Sequence, residues 1–252
     1  MPMKALTLTW LLLLGATNGI PAEMATNRYY ELRCYAVTPG KLNAVLERFR
    51  DTVEPVRRKH GINTVGYWTG TSTNGEQFVY LLAAPSQKEL ERQEKEFGAD
   101  PDFQKGYAAS NAKHGKTVDQ IEVWPLGVEV GAKLDFTRAK APRAFDLRIY
   151  SVPPAKLDAF RARWRDHASR IYKRHGLQSL GWWVAGKKDA GGDDLFACLL
   201  AGDSVATIER ATSAFHADPE WQRIQQETEV NGRLRSSVKA YLLVPADFSP
   251  LQ

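Results

Sequence analysis

The sequence predicts an α+β protein built from two tandem ferredoxin-like units that cover each other's open sheet faces as an intrachain pseudo-dimer. Three features carry this reading: a long internal repeat, the same order of strand and helix patterns in each copy, and a first strand whose alternate positions differ in chemistry. Tyr30-Glu31-Leu32-Arg33-Cys34-Tyr35 recurs as Phe145-Asp146-Leu147-Arg148-Ile149-Tyr150, a spacing of 145 − 30 = 115 residues. The same spacing carries Lys41-Leu42 onto Lys156-Leu157, Phe49-Arg50-Asp51 onto Trp164-Arg165-Asp166, His60-Gly61 onto His175-Gly176, and Gly66-Tyr67-Trp68 onto Gly181-Trp182-Trp183. Past a loop with extra residues, Ala99-Asp100-Pro101-Asp102-Phe103-Gln104 recurs as Ala217-Asp218-Pro219-Glu220-Trp221-Gln222. Chance does not hold register over such a length, so residues 28–126 and 143–245 are two copies of one unit and 127–142 a linker.

Each copy opens with a strand. Tyr30, Leu32 and Cys34 alternate with Glu31, Arg33 and Tyr35, the period of a half-buried strand. Thr38-Pro39 offers a helix N-cap and first-turn proline, and Leu42, Val45, Leu46, Phe49, Val53 and Val56 follow at helical spacing. Leu157, Phe160, Trp164, Ala168 and Ile171 draw the same stripe in the second copy. Pro55 is expected to kink the first of these helices, and Arg170, its counterpart, to leave the second straight. Glycine stops follow at Gly61 and Gly176. Two strands, 63–71 and 77–84, then form a hairpin through Asn74-Gly75, and Ser86-Gln87-Lys88-Glu89 is a capping box. Asp100-Pro101 and Asp218-Pro219 each start a third, shorter helix, and strands at 117–125 and 234–245 close the copies. Strand, helix, strand, strand, helix, strand gives an antiparallel sheet with helices on one face.

Composition narrows the function classes. The net charge of +5 is spread over 34 Lys and Arg among 29 Asp and Glu, a mildly basic surface and no nucleic-acid footprint. Ala5 to Ala16, behind Lys4, is too short an apolar run to span a bilayer and reads as a signal peptide over residues 1–22, which predicts a secreted or periplasmic protein without stable membrane insertion. Cys34 and Cys198 fall in different copies; export would permit a disulfide, the alternative being two buried thiols. No metal or phosphate-loop signature is present, and no metal is assigned.

Tyr-Glu-Leu-Arg-x-Tyr followed by Thr-Pro-Gly-Lys-Leu, Lys-His-Gly at the helix end, Val-Gly-Tyr-Trp, and Ala-Asp-Pro-x-Phe/Trp-Gln together resemble the NIPSNAP family, in both copies, from Arg28 to Val244. The second copy departs at Val152-Pro153-Pro154-Ala155 and at Trp182. The resemblance implies the dimeric α+β barrel superfamily, in which two sheets pair around a cavity. Relatives there include haem-degrading and quinol monooxygenases and isomerases of small organic molecules. It implies no general activity for this branch.

Candidate site residues follow from the first strand. With Leu32 and Cys34 turned to the helices, Glu31, Arg33, Tyr35, Asp146, Arg148 and Tyr150 would face a cavity between the repeats, where the arginines would bind an anionic or carbonyl-bearing ligand and the tyrosines hydrogen-bond it. The competing reading makes Glu31 with Arg33 and Asp146 with Arg148 structural ion pairs. Trp68 and Trp183 are candidate stacking platforms but are read first as core aromatics. His60 and His175 are weaker candidates, since each ends a basic run at a helix C-terminus. The expected function is binding of a small organic molecule, with no cofactor. The alternatives are a non-catalytic scaffold and a monooxygenase, cofactor-independent or haem-dependent; a higher oligomer is compatible with all three.

Overall fold

The structure, a computed structural model, describes residues 29–72, 75–128, 135–136, 139, 143–185 and 192–252. The expected leader over 1–22, Asn74 of the first hairpin and most of the linker lie outside the described residues. The first repeat runs β1 (Tyr29–Val37), α1 (Leu42–Arg48), a π-helical turn (Phe49–Val53), α2 (Glu54–Lys59), β2 (Asn63–Ser72), β3 (Gly75–Ala84), α3 (Gln87–Ala99), α4 (Pro101–His114) and β4 (Val118–Val128). The second runs β5 (Ala144–Val152), α5 (Leu157–Arg163), a π-helical turn (Trp164–Ala168), α6 (Ser169–Arg174), β6 (Gln178–Ala185), β7 (Asp194–Gly202), α7 (Val205–Ala217), α8 (Pro219–Thr228) and β8 (Ser237–Pro245). None of the described helices is long and apolar enough to cross a membrane.

The helix starts follow local chemistry. Ser86 accepts from the Glu89 amide, Asp100 from the Asp102 amide and Asp218 from the Glu220 amide, each satisfying a donor that the first helical turn leaves free. Thr38 does not cap α1. Its hydroxyl donates to Asp119 Oδ1 at 2.9 Å, and its carbonyl accepts from Lys41 in a turn that delays the helix to Leu42. The expectation for Pro55 also needs correction. Both repeats carry a π-helical turn at the same place, closed by Glu54 N–H to Phe49 O and Ser169 N–H to Trp164 O, so the wider turn does not depend on proline. Pro55 sits just beyond it, in the first turn of α2. Nor is α4 shorter than α3, at 14 residues against 13.

The eight strands close into one antiparallel barrel in the order β1-β3-β2-β8-β5-β7-β6-β4, with β4 returning to β1. Two seams join the repeats: Trp68–Thr71 of β2 against Leu242–Pro245 of β8, and Gly127–Val128 of β4 against Trp183–Val184 of β6. The helix-free faces of both sheets thus turn inward and share one apolar cluster, with Tyr30, Leu32, Cys34, Trp68, Val79 and Leu81 meeting Phe145, Leu147, Ile149, Trp183, Leu199 and Leu243. Trp68 lies edge-on to Phe145 with centroids 5.6 Å apart, and Trp183 meets Tyr30 at 5.7 Å. Eight strands make an interior that side chains can just fill. The void left at its centre is about 10 Å³, the threshold for one water. Each repeat buries a second cluster between its outer sheet face and its own helices.

Close approach at the first seam requires glycine at position 70, where an added Cβ would press on the Leu242 carbonyl oxygen and on a Leu243 methyl group. At the second seam a Cβ on Gly127 would stand 3.4 Å from the Val184 carbonyl oxygen, ordinary contact. Gly70→Ala is therefore expected to destabilise the protein by about 1–3 kcal/mol and Gly127→Ala by much less, measured by urea unfolding of the two variants side by side.

Candidate functional site

The parity of β1 is the reverse of the sequence expectation. Tyr30, Leu32 and Cys34 point into the barrel, so Glu31, Arg33 and Tyr35 lie beneath the helices, as do Asp146, Arg148 and Tyr150 of β5. The middle of the barrel interior is packed with apolar side chains, and a charge placed there would lose its hydration without a partner. The cavity expected between the repeats is accordingly filled. Space opens instead within each repeat, between the outer sheet face and the helices: about 570 Å³ in the first and 210 Å³ in the second. The two cavities sit on equivalent elements, and each π-helical turn contributes to a wall, through Phe49 and Val53 or Trp164 and Ala168.

A polar network forms one end of the larger cavity. Arg33 donates from Nε to Glu31 Oε1 at 2.6 Å and from Nη2 to Glu94 Oε2 at 2.7 Å. Arg57, only 2% exposed, reaches the Tyr80 hydroxyl at 3.2 Å and stands 3.6 Å from Glu94, while its Nε has no partner among the described residues. The hydroxyls of Tyr35 and Tyr80 share a 2.8 Å hydrogen bond, and Tyr67 donates to Glu54 at 2.5 Å. Burial works against the charge on Arg33, but Tyr80, Glu94 and Glu31 outweigh it and raise its pKa. Burial, then Tyr80, pushes the Tyr35 phenol above the ordinary range, so it stays neutral.

Arg48 forms another wall. Nε donates to Ser110 Oγ at 2.9 Å and Nη2 to Asn111 Oδ1 at 2.8 Å, with the guanidinium 4.7 Å from the Tyr107 ring centroid. No carboxylate among the described residues pairs with it, although it is buried. Its counterpart Arg163 has the same hydroxyl contact, to Thr228, but also a carboxylate, Glu229, at 2.9 Å where the first repeat has Asn111. Val45, Phe49, Val53, Phe97, Phe103 and Ile121 supply apolar wall, and Lys116, Thr117, Asp119 and Gln120 a polar edge.

The second repeat thins the network. Arg148 keeps Asp146, at 2.8 Å, but finds Thr212 at 3.2 Å where Arg33 meets Glu94. Tyr172, Cys198 and Trp182 stand at the positions of Arg57, Tyr80 and Tyr67. Tyr172 stacks on Phe215 at 3.8 Å, and His216 and Arg235 join the lining. Burial, then Arg148 and Arg235, lower the His216 pKa and hold the ring neutral.

Trp68 and Trp183, 1% exposed, are core residues of the barrel interior, apart from Arg33 and Tyr35. His60 and His175 end α2 and α6, and each ring nitrogen Nε2 lies 2.8 Å from the N-cap aspartate of α4 or α8, Asp100 or Asp218. They tie helix to helix and line neither cavity. Cys34 and Cys198 are free and buried, one inside the barrel and one beneath the helices, so a sheet separates them. Arg48, Arg57, Arg163 and Arg235 were missed in the sequence. A signal existed for two of them, since Arg48 and Arg163 repeat at the 115-residue spacing on the flank of an apolar helical stripe.

Haem iron takes His, Cys, Met or Tyr as its protein ligand. The lining of the larger cavity offers Tyr35 and Tyr107; Tyr35 is held neutral against Tyr80. The smaller offers His216, Tyr150 and Tyr172, but its 210 Å³ is below the ordinary range for drug-sized ligands and too small for a macrocycle.

Removing either strand arginine would leave a half-buried or buried carboxylate unpaired. Arg33→Met and Arg148→Met are each expected to lower stability by roughly 3 kcal/mol, visible in denaturant unfolding with the fold retained. The helix ties predict a pH dependence. Hydrogen bonds from Lys59 and His60 lower the pKa of Asp100, and those from Arg174 and His175 lower that of Asp218. A depressed carboxyl pKa contributes stability that is fully present above the unfolded value, near 3.9, and lost as pH falls through the folded one. Asp100→Asn and Asp218→Asn keep the N-cap but not the charge. Their melting temperatures should fall below the parent's at pH 7, and the gap should begin to close only below about pH 4, narrowing further as the pH falls toward the lowered folded values.

Solved structures that match nearly the whole chain include two presumed monooxygenases. A presumed monooxygenase from Fusobacterium nucleatum is 8% identical over 90% of this chain and 98% of its own, with a TM-score of 0.59. One from Lactobacillus acidophilus is 9% identical over 90% and 99%, with a TM-score of 0.53. At such identity they share the fold alone. An uncharacterised NIPSNAP domain protein from Burkholderia xenovorans is 20% identical over 41% of this chain and 96% of its own, TM-score 0.36. No curated protein matches the chain. The NIPSNAP family model matches residues 30–123 and again 145–250, one match on each half of the barrel, and the chain therefore belongs to the NIPSNAP family with two copies in tandem.

Proposed function

We propose that this protein binds a small organic acid with an aromatic or otherwise apolar body, in the cavity between sheet and helices of the first repeat, and that it meets this ligand outside the cytoplasm, where the apolar leader of residues 5–16 would direct it. The observation that carries the reading is Arg48. Held only by neutral groups, this buried guanidinium lacks a counter-charge among the described residues, and its counterpart Arg163 has one in Glu229. A ligand carboxylate supplies it. The adjoining 570 Å³ is walled by Phe49, Phe97 and Phe103, with Arg57 and the Tyr35–Tyr80 pair as further donors, the usual make-up of a small-molecule pocket.

A scaffold role would leave the retention of an unpaired buried cation beside an open cavity without a cause. A catalytic role finds less support, because the carboxylates nearest the cavity are engaged: Glu31 and Glu94 by Arg33, Asp119 by Lys116. The test compares 2-naphthoate with 2-naphthamide by titration calorimetry on the full chain and on Arg48→Met. The acid should bind and the amide should not. Arg48→Met should weaken acid binding about tenfold to a hundredfold, the equivalent of one charge-assisted hydrogen bond. Its melting temperature should stay at or above the parent's, since the change removes a buried charge without orphaning a partner charge. Acid binding unchanged in Arg48→Met would sink the proposal.

A further inference from the structure

We propose that the ligand of the first repeat is an oxo acid, carrying besides the carboxylate taken by Arg48 a carbonyl oxygen that accepts a hydrogen bond from the Tyr35 hydroxyl. The inference rests on the carboxylate reading of Arg48 and adds a second group to the same ligand. Both residues line the 570 Å³ cavity, and Tyr35 is only partly buried there. Nε and Nη2 of Arg48 are engaged by Ser110 and Asn111, which leaves Nη1 for the carboxylate.

Donors and acceptors behind Tyr35 fix which way its proton points. Tyr80 is fully buried, and its hydroxyl oxygen lies 3.2 Å from Nη2 of Arg57, 3.4 Å from Nη1 of Arg33 and 2.8 Å from the Tyr35 hydroxyl. A guanidinium can only donate. The two arginines therefore occupy the lone pairs of Tyr80, and among the described residues the Tyr35 oxygen is the acceptor left for the Tyr80 proton. The opposite assignment would bury that proton between two cations with nothing to receive it. Tyr35 thus accepts from Tyr80, and its own proton, with no acceptor among the described residues, is left for the cavity that Tyr35 lines. A hydroxyl that accepts from a polarised donor is itself a stronger donor.

The same network sets the charge of the group it takes. Arg33 and Arg57 are matched by two carboxylates, since Arg33 pairs with Glu31 and Glu94, and Arg57 stands 3.6 Å from Glu94. This end of the cavity is balanced without a ligand and offers a neutral donor, so a second carboxylate placed against it would lack a counter-charge. An alcohol would bring another proton in need of an acceptor. A carbonyl oxygen accepts and adds neither charge nor proton. Between the two polar ends, Phe49 lies edge-on to Tyr35 with centroids 5.9 Å apart, and with Phe97 and Phe103 it suits an aromatic body. In the second repeat Cys198 and Tyr172 stand at the positions of Tyr80 and Arg57, so Tyr150 has no such relay behind it.

The experiment titrates the full chain, by calorimetry, with two pairs of acids whose far ends have the same shape but differ in accepting a hydrogen bond: 4-acetylbenzoate against 4-isopropylbenzoate, and 6-acetyl-2-naphthoate against 6-isopropyl-2-naphthoate. In at least one pair the acetyl acid should bind about threefold to tenfold more tightly, the equivalent of one neutral hydrogen bond. Tyr35→Phe should abolish that preference and leave the isopropyl acid's affinity unchanged, which also shows the cavity intact. Arg48→Met should weaken both members of the pair alike and keep the preference. In the parent chain the infrared carbonyl stretch of the bound acetyl group should lie below its value in dry acetonitrile, a reading that depends on no variant. Equal binding within both pairs, a preference that survives Tyr35→Phe, or a bound stretch at the acetonitrile value would each overturn this inference and leave the Arg48 reading standing. Failure of every acid to bind the parent would overturn both.

Discussion

Everything in this molecule depends on how a four-stranded sheet with helices on one side disposes of its other side. Alone, either repeat would hold a face of Tyr30, Leu32 and Trp68, or of Phe145, Leu147 and Trp183, against water. Closing the two sheets edge to edge buries both faces at once and removes the free strand edges. The seams are short in backbone pairs, yet the interior they enclose is common to both repeats. Each repeat is thus the other's missing core layer, and neither is a bead on a string.

Spending the interior on packing moves the chemistry outward. Each repeat keeps its own space between sheet and helices, and the duplication supplies two such spaces on one frame. The frame is what the repeats hold in common: the π-helical turns, the aspartate caps, and the histidines that tie one helix to the next. The cavity linings are what they do not share. Arg57 and Tyr80 of the first repeat correspond to Tyr172 and Cys198 of the second, Asn111 to Glu229, and Phe49 and Phe103 to Trp164 and Trp221. These exchanges change the size, charge and hydrogen-bonding capacity of the linings.

Much of this was legible in the sequence. The repeat register, the order of elements and the caps at Ser86, Asp100 and Asp218 are local properties, set by spacing and by side chains that reach a few residues along the chain. The charged pairs on β1 and β5 were legible too, and they stand as Arg33 with Glu31 and Arg148 with Asp146. Their direction was not. Both faces of β1 are covered in the fold, one by the opposite sheet and one by helices, so alternation separates two sets of residues without saying which layer each meets.

The sequence by itself determined that the chain is two copies of one unit, what each copy's elements are, and which family they belong to. Only the tertiary structure decided that aliphatic Leu32 and Leu147 fill the barrel while Arg33 and Arg148 lie under the helices, and that Arg48 meets no carboxylate among the described residues where Arg163 meets one. The physical reason is the range of the forces involved. Helix caps, turns and strand alternation are settled within a few residues, but the desolvation of a charge depends on which distant element comes to cover it, and that is fixed only when the barrel closes.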